Sequence, residues 1–392
     1  MRQTKRILPV TAGDISGAAS ALYELGGMTV IHDPSGCNST YNTHDEIRWY
    51  DQKSLIYVSG LTDVDAINGD DDRLIAEVVE AARITRPRFI ALCNSPIPFI
   101  NGTDFEAVAA LIAGQTGVPA FYVPTSGMHD YVRGAGLALA KIAERFVTAP
   151  AKRRPRTVNL LGMTPLDFAN AKTRASLIAG LEAEGWQVVS CWAMGDDLTA
   201  LARAGNASVN LIISAAGMRA AKVLGRRFGT PAVIGCPIAS HAPAVYRALE
   251  RAAAGEGASL VTYAARETSS EPAVALLGEP VAMGSLAAAL AARSIPARVI
   301  AEAEDSRGLL APGDCLALDE EAVIAAVADA PVVVADPLYR PVVPAAAHFV
   351  PLPHLALSGR IFLAQMPDYF APGFDAVTAA IVAAAGRPLA KS

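Results

Sequence analysis

The chain has 392 residues, 52% of them hydrophobic and only 18% charged, so it can bury large cores and divides into two or three domains. A net charge of −5 with no long basic run speaks against nucleic-acid binding, and no apolar stretch runs far enough without charge or proline to span a bilayer. Five cysteines (Cys37, Cys93, Cys191, Cys236 and Cys315) have no framework spacing, and Asp14 soon follows the basic start Met1–Arg6; this argues against disulfides and a signal peptide and for a cytoplasmic protein.

In chain order, the first informative stretch is the apolar run Met28-Thr29-Val30-Ile31 and the turn after it, His32-Asp33-Pro34-Ser35-Gly36-Cys37. Pro34 and Gly36 break any regular element and expose the backbone around the thiol. A cysteine there suits core packing poorly and suits presenting sulfur to a partner, a metal or an iron–sulfur cluster. The competing reading is an incidental free thiol. His44, Asp45 and Glu46 follow, placed to line a cleft or relay protons, although His44 equally suits a surface helix. Asp70-Asp71-Asp72 reads as a helix cap, with docking of a basic partner as its sharper use.

Beyond these, short apolar runs alternate with alanine-rich helical patterns. Residues 89–93, 120–123, 158–161, 188–190, 211–213, 273–277 and 332–335 are expected strands, and 104–113 and 169–184 expected helices. This rhythm predicts parallel sheets covered on both faces, with the chemistry in loops beyond the carboxyl ends of the strands. The His32–Cys37 turn, Cys93-Asn94-Ser95-Pro96 and Thr125-Ser126-Gly127 fall at such ends. So do His241, after Cys236-Pro237, and His354 with Arg360; His129 and Asp130 follow the third turn.

The basic, proline-bearing segment Ala149–Arg156 reads as a solvated linker, and anion binding is its second reading. A second break lies between Val261 and Glu271, where Arg266–Ser270 separates a helix from a new strand. Three α/β units follow, at 1–150, 151–265 and 266–392, with the helix Asp375–Ala385 packing back on an earlier unit. There is no Walker motif, and Gly134-Ala135-Gly136 lacks the strand–turn–helix context of a dinucleotide loop, so no bound nucleotide is expected.

With these residues in order, the chain resembles the nitrogenase component 1 family, which includes the molybdenum–iron protein subunits and the dark-operative protochlorophyllide reductases. His32–Cys37 resembles that family's cluster-ligand turn, Asp65–Leu74 its next helix start, and Pro87–Asp104 its second ligand loop. Thr125-Ser126-Gly127 resembles the small-residue turn after the next strand. Phe228-Gly229-Thr230-Pro231 and Pro353–Arg360 fit its later domains less specifically. The resemblance implies three stacked Rossmann-like parallel-sheet domains and a nitrogenase-like reductase subunit. Such a subunit takes electrons from an ATP-hydrolysing iron–sulfur reductase and reduces a small molecule.

Departures from the pattern shape the expected site. Gly13-Asp14 stands where the family has its first ligand cysteine, and Asp14 suits either a carboxylate ligand or a helix N-terminal charge. Ser95 stands where the family has its second, while Cys93, two residues earlier on the same side of the strand, suits either ligation or the core. The resemblance therefore makes Cys37, Cys93, Ser95 and Asp14 the cofactor residues, with Cys37 and Cys93 as metal ligands. It makes His44, His129, His241, His354 and Arg360 the pocket residues. Ser214 replaces the cofactor cysteine of true nitrogenase, so neither a molybdenum–iron cofactor nor dinitrogen reduction is expected. A cluster, of the four-iron type, takes four ligands and one chain offers too few; it is expected between two chains of a homodimer or of a heterodimer with a paralogue. The alternative is a non-catalytic scaffold or carrier for metallocofactor assembly; a degenerate ligand-binding member without metal is a third reading.

Overall fold

A computed structural model describes residues 11–34, 46–69, 71–148, 153–266 and 272–386. Its strands make three all-parallel sheets. The first, in order β2-β1-β3-β4, takes β1 Met28–His32, β2 Leu55–Val58, β3 Ile90–Asn94 and β4 Ala120–Val123. The second, β6-β5-β7-β8-β9, takes β5 Thr157–Leu161, β6 Gln187–Cys191, β7 Val209–Ile212, β8 Ala232–Ile234 and β9 Ser259–Val261. The third, β12-β11-β10-β13-β14, takes β10 Val274–Gly278, β11 Ala297–Ala301, β12 Cys315–Leu316, β13 Val332–Ala335 and β14 His348–Pro351.

The central strands are buried on both faces, which is why they read as continuous apolar runs. Period-two alternation then deals their side chains to separate cores. On β3 and the residue before it, Phe89, Ala91 and Cys93 join a large inner core while Ile90 and Leu92 join an outer one. On β13, Val332 and Val334 face the inner core and Val333 and Ala335 an outer one. The inner core takes side chains from all three sheets, so the second sheet is enclosed between the other two.

One expectation about the later chain is corrected. Val261 ends strand β9 and is followed by turns, so no helix borders Arg266. Arg266 buries its side chain in a close ion pair with both carboxylate oxygens of Asp314. The helix Phe374–Ala385 packs mainly on β13 and β14 of its own sheet, and its edge meets Ala239–His241 of the second unit. No helix among the described residues is long and apolar enough to cross a membrane.

Strand order reverses between β1 and β3, between β5 and β7, and between β10 and β13. Such switch points open crevices outside the carboxyl ends of the strands. The chemistry-bearing residues lie there.

Candidate functional site

At the first sheet, β1 ends in His32, whose buried ring bonds Ser59 Oγ through Nδ1 at 2.8 Å; burial lowers its pKa. Cys37 and His44 lie outside the described residues. On the neighbouring strand, Cys93 is fully buried, and burial, aided by the nearby Asp14 carboxylate, pushes its thiol up to about 12. A core thiol of that kind stays protonated and has no path to an external metal. Ser95 precedes the short helix Pro96–Asn101; it is fully buried and its Oγ has no partner among the described residues. Asp14 is also engaged: its carboxylate accepts the backbone N–H groups of Ser126 and Gly127, both at 2.8 Å. Burial raises its pKa, opposed by those amides. Asp14 thus fixes the turn after β4 to the first helix, Asp14–Leu22.

The chain re-enters this region at Glu46, which is a structural anchor. Arg48 donates to both Glu46 oxygens at 2.7 and 2.8 Å, to Glu24 Oε1 at 2.7 Å, to Ser20, and to the carbonyl of Ala193 in the second unit at 3.0 Å. Despite burial, the Arg48 contacts hold the Glu46 carboxyl below its ordinary range. Glu46 therefore has little freedom to carry protons.

A second constellation forms where the carboxyl ends of all three sheets meet. Asp167 follows β5, Glu279 follows β10, Glu302 follows β11, Asp336 follows β13 and His354 follows β14. His354 Nε2 lies 3.2 Å from Asp167 Oδ1, which also accepts from the Tyr131 hydroxyl at 2.5 Å; Asp167 Oδ2 accepts from Thr164 at 3.0 Å. Burial disfavours the imidazolium, but the Asp167 bond and the surrounding carboxylates outweigh it and raise the His354 pKa. His354 Nδ1 is buried without a partner. Tyr339 donates to Glu302 in a very close contact, and Asp336 accepts the His354 backbone N–H at 2.8 Å. Burial lifts both Glu302 and Glu279 to about 8, Glu279 also through the Asp167 charge, so both carry a proton at neutral pH. The crevice left between them is about 10 Å³, room for one water.

The other expected pocket residues lie around this junction or apart from it. His129 Nδ1 pairs with Glu304 at 2.8 Å, tying the first unit to the third, and both are about a third exposed. Arg360 stacks over Tyr50 at 5.3 Å. His241 bonds Thr262 Oγ1 at 2.9 Å and burial depresses its pKa to about 4, which keeps it neutral. Ser214 spends its hydroxyl on the Gly162 carbonyl at 2.8 Å. A cavity of about 410 Å³ lies at the amino ends of β1 and β2, away from this chemistry. Its carboxylates are already paired, Glu24 with Arg48, Asp196 with Arg174 and Asp197 with Arg88.

Three parallel sheets whose carboxyl ends meet on a buried polar junction define an architecture shared with nitrogenase. Solved structures titled nitrogenase Cp1, at pH 6.5 and pH 5, superpose with TM-scores of 0.68 and 0.65 at 14% identity, covering 98% of this chain and 94% and 89% of theirs. The chain belongs to the nitrogenase component 1 type oxidoreductase family, whose sequence profile matches residues 15–280. It is 24% identical over 240 residues to the nitrogenase iron-molybdenum cofactor biosynthesis protein NifN of Bradyrhizobium diazoefficiens, over 55% of this chain. The match spans about half (51%) of that relative's length.

Family members carry iron–sulfur clusters, and the fit of such a group to this chain is partial. Among the described residues no three His, Cys, Asp or Glu side chains gather to hold a metal. Asp14 and Cys93 are committed elsewhere, whereas Ser95 Oγ is a buried donor with no other use. Ser95 and Cys37 are two ligands at most, short of the usual four.

Proposed function

We propose that this chain is a redox subunit of a nitrogenase-like reductase acting on a small molecule other than dinitrogen. It contributes Cys37 and Ser95 to an iron–sulfur cluster completed by a second chain, either another copy or a paralogue. An ATP-hydrolysing iron–sulfur reductase supplies electrons, which the cluster stores and passes on when bound. This chain's own residues supply protons: Glu302 and Glu279 hold them as neutral acids, and Asp167 orients the His354 ring through Nε2. The junction of His354, Asp167 and Tyr131 with Glu302 and Tyr339 is the single observation that carries this reading. A passive carrier has no use for paired proton donors in a closed crevice.

The reductase finds a matching surface at the same edge of the first sheet. Two touching helices, Asp63–Asn68 and Pro96–Asn101, expose Val64, Ile67, Phe99 and Ile100 within a rim that includes Asp63, Asp72 and Asp104. An apolar centre with an acidic rim suits a partner with a basic rim.

Anaerobic co-purification with a partner chain, followed by turnover with reductase and ATP, tests the proposal. Iron bound in wild type and lost in Cys37→Ala, with reductant consumed per product, is the expected result. A second reading, a cofactor-assembly scaffold, is favoured by the likeness to the cofactor biosynthesis protein of B. diazoefficiens. It predicts transfer of cluster or cofactor to an acceptor protein with no reductant consumed. A colourless, iron-free and well-folded preparation rules out both.

A further inference from the structure

The geometry points to a proton relay in which one water in the junction crevice joins the Glu302 carboxyl to His354 Nδ1, with the Asp130 carboxylate on the wall of the same crevice as the group that returns the proton. Three observations on separate elements converge on it. His354 is held from one side only: Nε2 faces Asp167, while Nδ1 is buried and unpartnered beside the crevice. An orphaned ring nitrogen in a buried site is costly unless a water or ligand meets it. Glu302 and Asp130 line the same crevice, whose volume of about 10 Å³ suits a single water with several polar neighbours. Finally, Asp130 reaches that crevice from the first unit, its carboxylate accepting the Glu304 backbone N–H of the third unit at 2.6 Å.

The transfer balances without any further reactant. Glu302 gives its proton to the crevice water, the water passes one of its own to His354 Nδ1, and the Nε2–H stays on Asp167. Glu302 is left as a carboxylate beside an imidazolium, and a proton returned by Asp130 restores it. The groups that face Glu302 are His354, Asp336 and Tyr339; those that face His354 are Asp167, Asp336, Glu302 and Tyr131. The Asp167 hydrogen bond and the three carboxylates favour the imidazolium, opposed by burial, so the proton is shared between Glu302 and His354.

The relay rests on the proposed reductase activity only for its use, and its test needs neither iron nor turnover. The whole chain, labelled with nitrogen-15 histidine, is titrated by infrared and NMR spectroscopy between pH 5 and 10. Protonated-carboxyl absorption from both Glu302 and Glu279 is expected in wild type; the Glu302 component is lost in Glu302→Gln while that of Glu279 remains, and the loss of the Glu302 component with rising pH should track the His354 ring signal in two linked steps. In Glu302→Gln, His354 should titrate in one step, displaced downward by about one unit. If that variant fails to fold, His354→Gln serves instead, and the Glu302 band should then lose one of its two steps. A His354 titration identical in wild type and Glu302→Gln, or no pH-dependent carboxyl band assignable to Glu302, overturns the relay and leaves the reductase reading to its own turnover test.

Discussion

His354 Nε2 lies 3.2 Å from Asp167 Oδ1, a contact between the third and second sheets across 187 residues of sequence. Because the folded His354 has a raised pKa, the pair stabilises the fold fully below the unfolded histidine value of about 6.5, and that stability fades as pH rises through the folded value. Asp167→Asn should therefore cost about 3–5 kcal/mol at pH 6, as expected for a broken buried pair, and less at pH 9. Denaturant unfolding at the two pH values reads this directly. An equal loss at both means that the pair is not charged in the native state.

Glu302 and Glu279 act in the same direction through the opposite chemistry. Each keeps in the fold, up to about pH 8, a proton that the unfolded chain releases near its ordinary value of 4.5. Native stability should therefore fall from pH 5 to pH 8 by about 1.4 kcal/mol per unit for each such group. Glu302→Gln should flatten that slope by roughly one group's share. A slope unchanged by the substitution would show that Glu302 ionises normally in the fold.

The fold was largely legible in the sequence because its central strands are buried on both faces, and such strands read as unbroken apolar runs. Several short or interrupted strands escaped: the edge strands Leu55–Val58, Ser259–Val261 and His348–Pro351 are partly exposed and carry Tyr57, Ser259 and His348, while the inner strands Ala232–Ile234 and Ala297–Ala301 were missed because one has three residues and the other carries Arg298. At the site, Ser95, His129, His354 and Arg360 stood out because residues of those types sit at strand ends. Asp167, Glu279 and Glu302 did not, because local sequence explains them as ordinary helix-capping or surface acids. Glu279 does cap Pro280–Ala291 through the Ala282 N–H. What makes them a site is the meeting of three sheets, which no local pattern encodes.

Arg48 holds three parts of the molecule at once: its own segment through Glu46, the first helix through Ser20, and the second unit through the Ala193 carbonyl. Removing it takes the guanidinium from the buried Glu46 carboxylate, which keeps the weaker Ser20 hydroxyl contact at 3.1 Å. Arg48→Met should cost about 3–5 kcal/mol, whereas the double variant Arg48→Met with Glu46→Gln should regain much of that loss. Thermal unfolding of both variants measures the coupling. Losses that simply add would mean that the two side chains act independently.

The surface of Val64, Ile67, Phe99 and Ile100 separates folding from partnership, since Ile67 is 84% and Ile100 78% exposed. Replacing both isoleucines with aspartate should leave the melting temperature within about 2 °C, because exposed positions contribute little to the core. ATP-dependent electron uptake from the reductase should drop at least about tenfold, with iron content unchanged. In wild type the same uptake should weaken with added salt, since the acidic rim steers a basic partner. Full uptake by the double variant would remove this face from the docking surface.

Cys37, Cys93 and Ser95 call for three different outcomes. Cys93 fills the inner core beside Phe89 and Ala91, so Cys93→Ala should cost about 1–2 kcal/mol through the small cavity it leaves, with iron retained. Ser95 carries a buried hydroxyl with no partner, which burdens the metal-free fold. Ser95→Ala should therefore stabilise the iron-free chain by roughly 1 kcal/mol and lower the iron held by the assembled protein; Ser95→Cys should raise it, because thiolate is the stronger iron ligand. Cys37→Ala should abolish iron binding with little change in melting temperature. Iron analysis of anaerobic preparations, paired with unfolding curves for each variant, distinguishes these outcomes. If Cys93→Ala loses iron while Cys37→Ala keeps it, the cluster is held from inside the first sheet rather than at its edge, and the buried thiol must become exposed when the second chain binds.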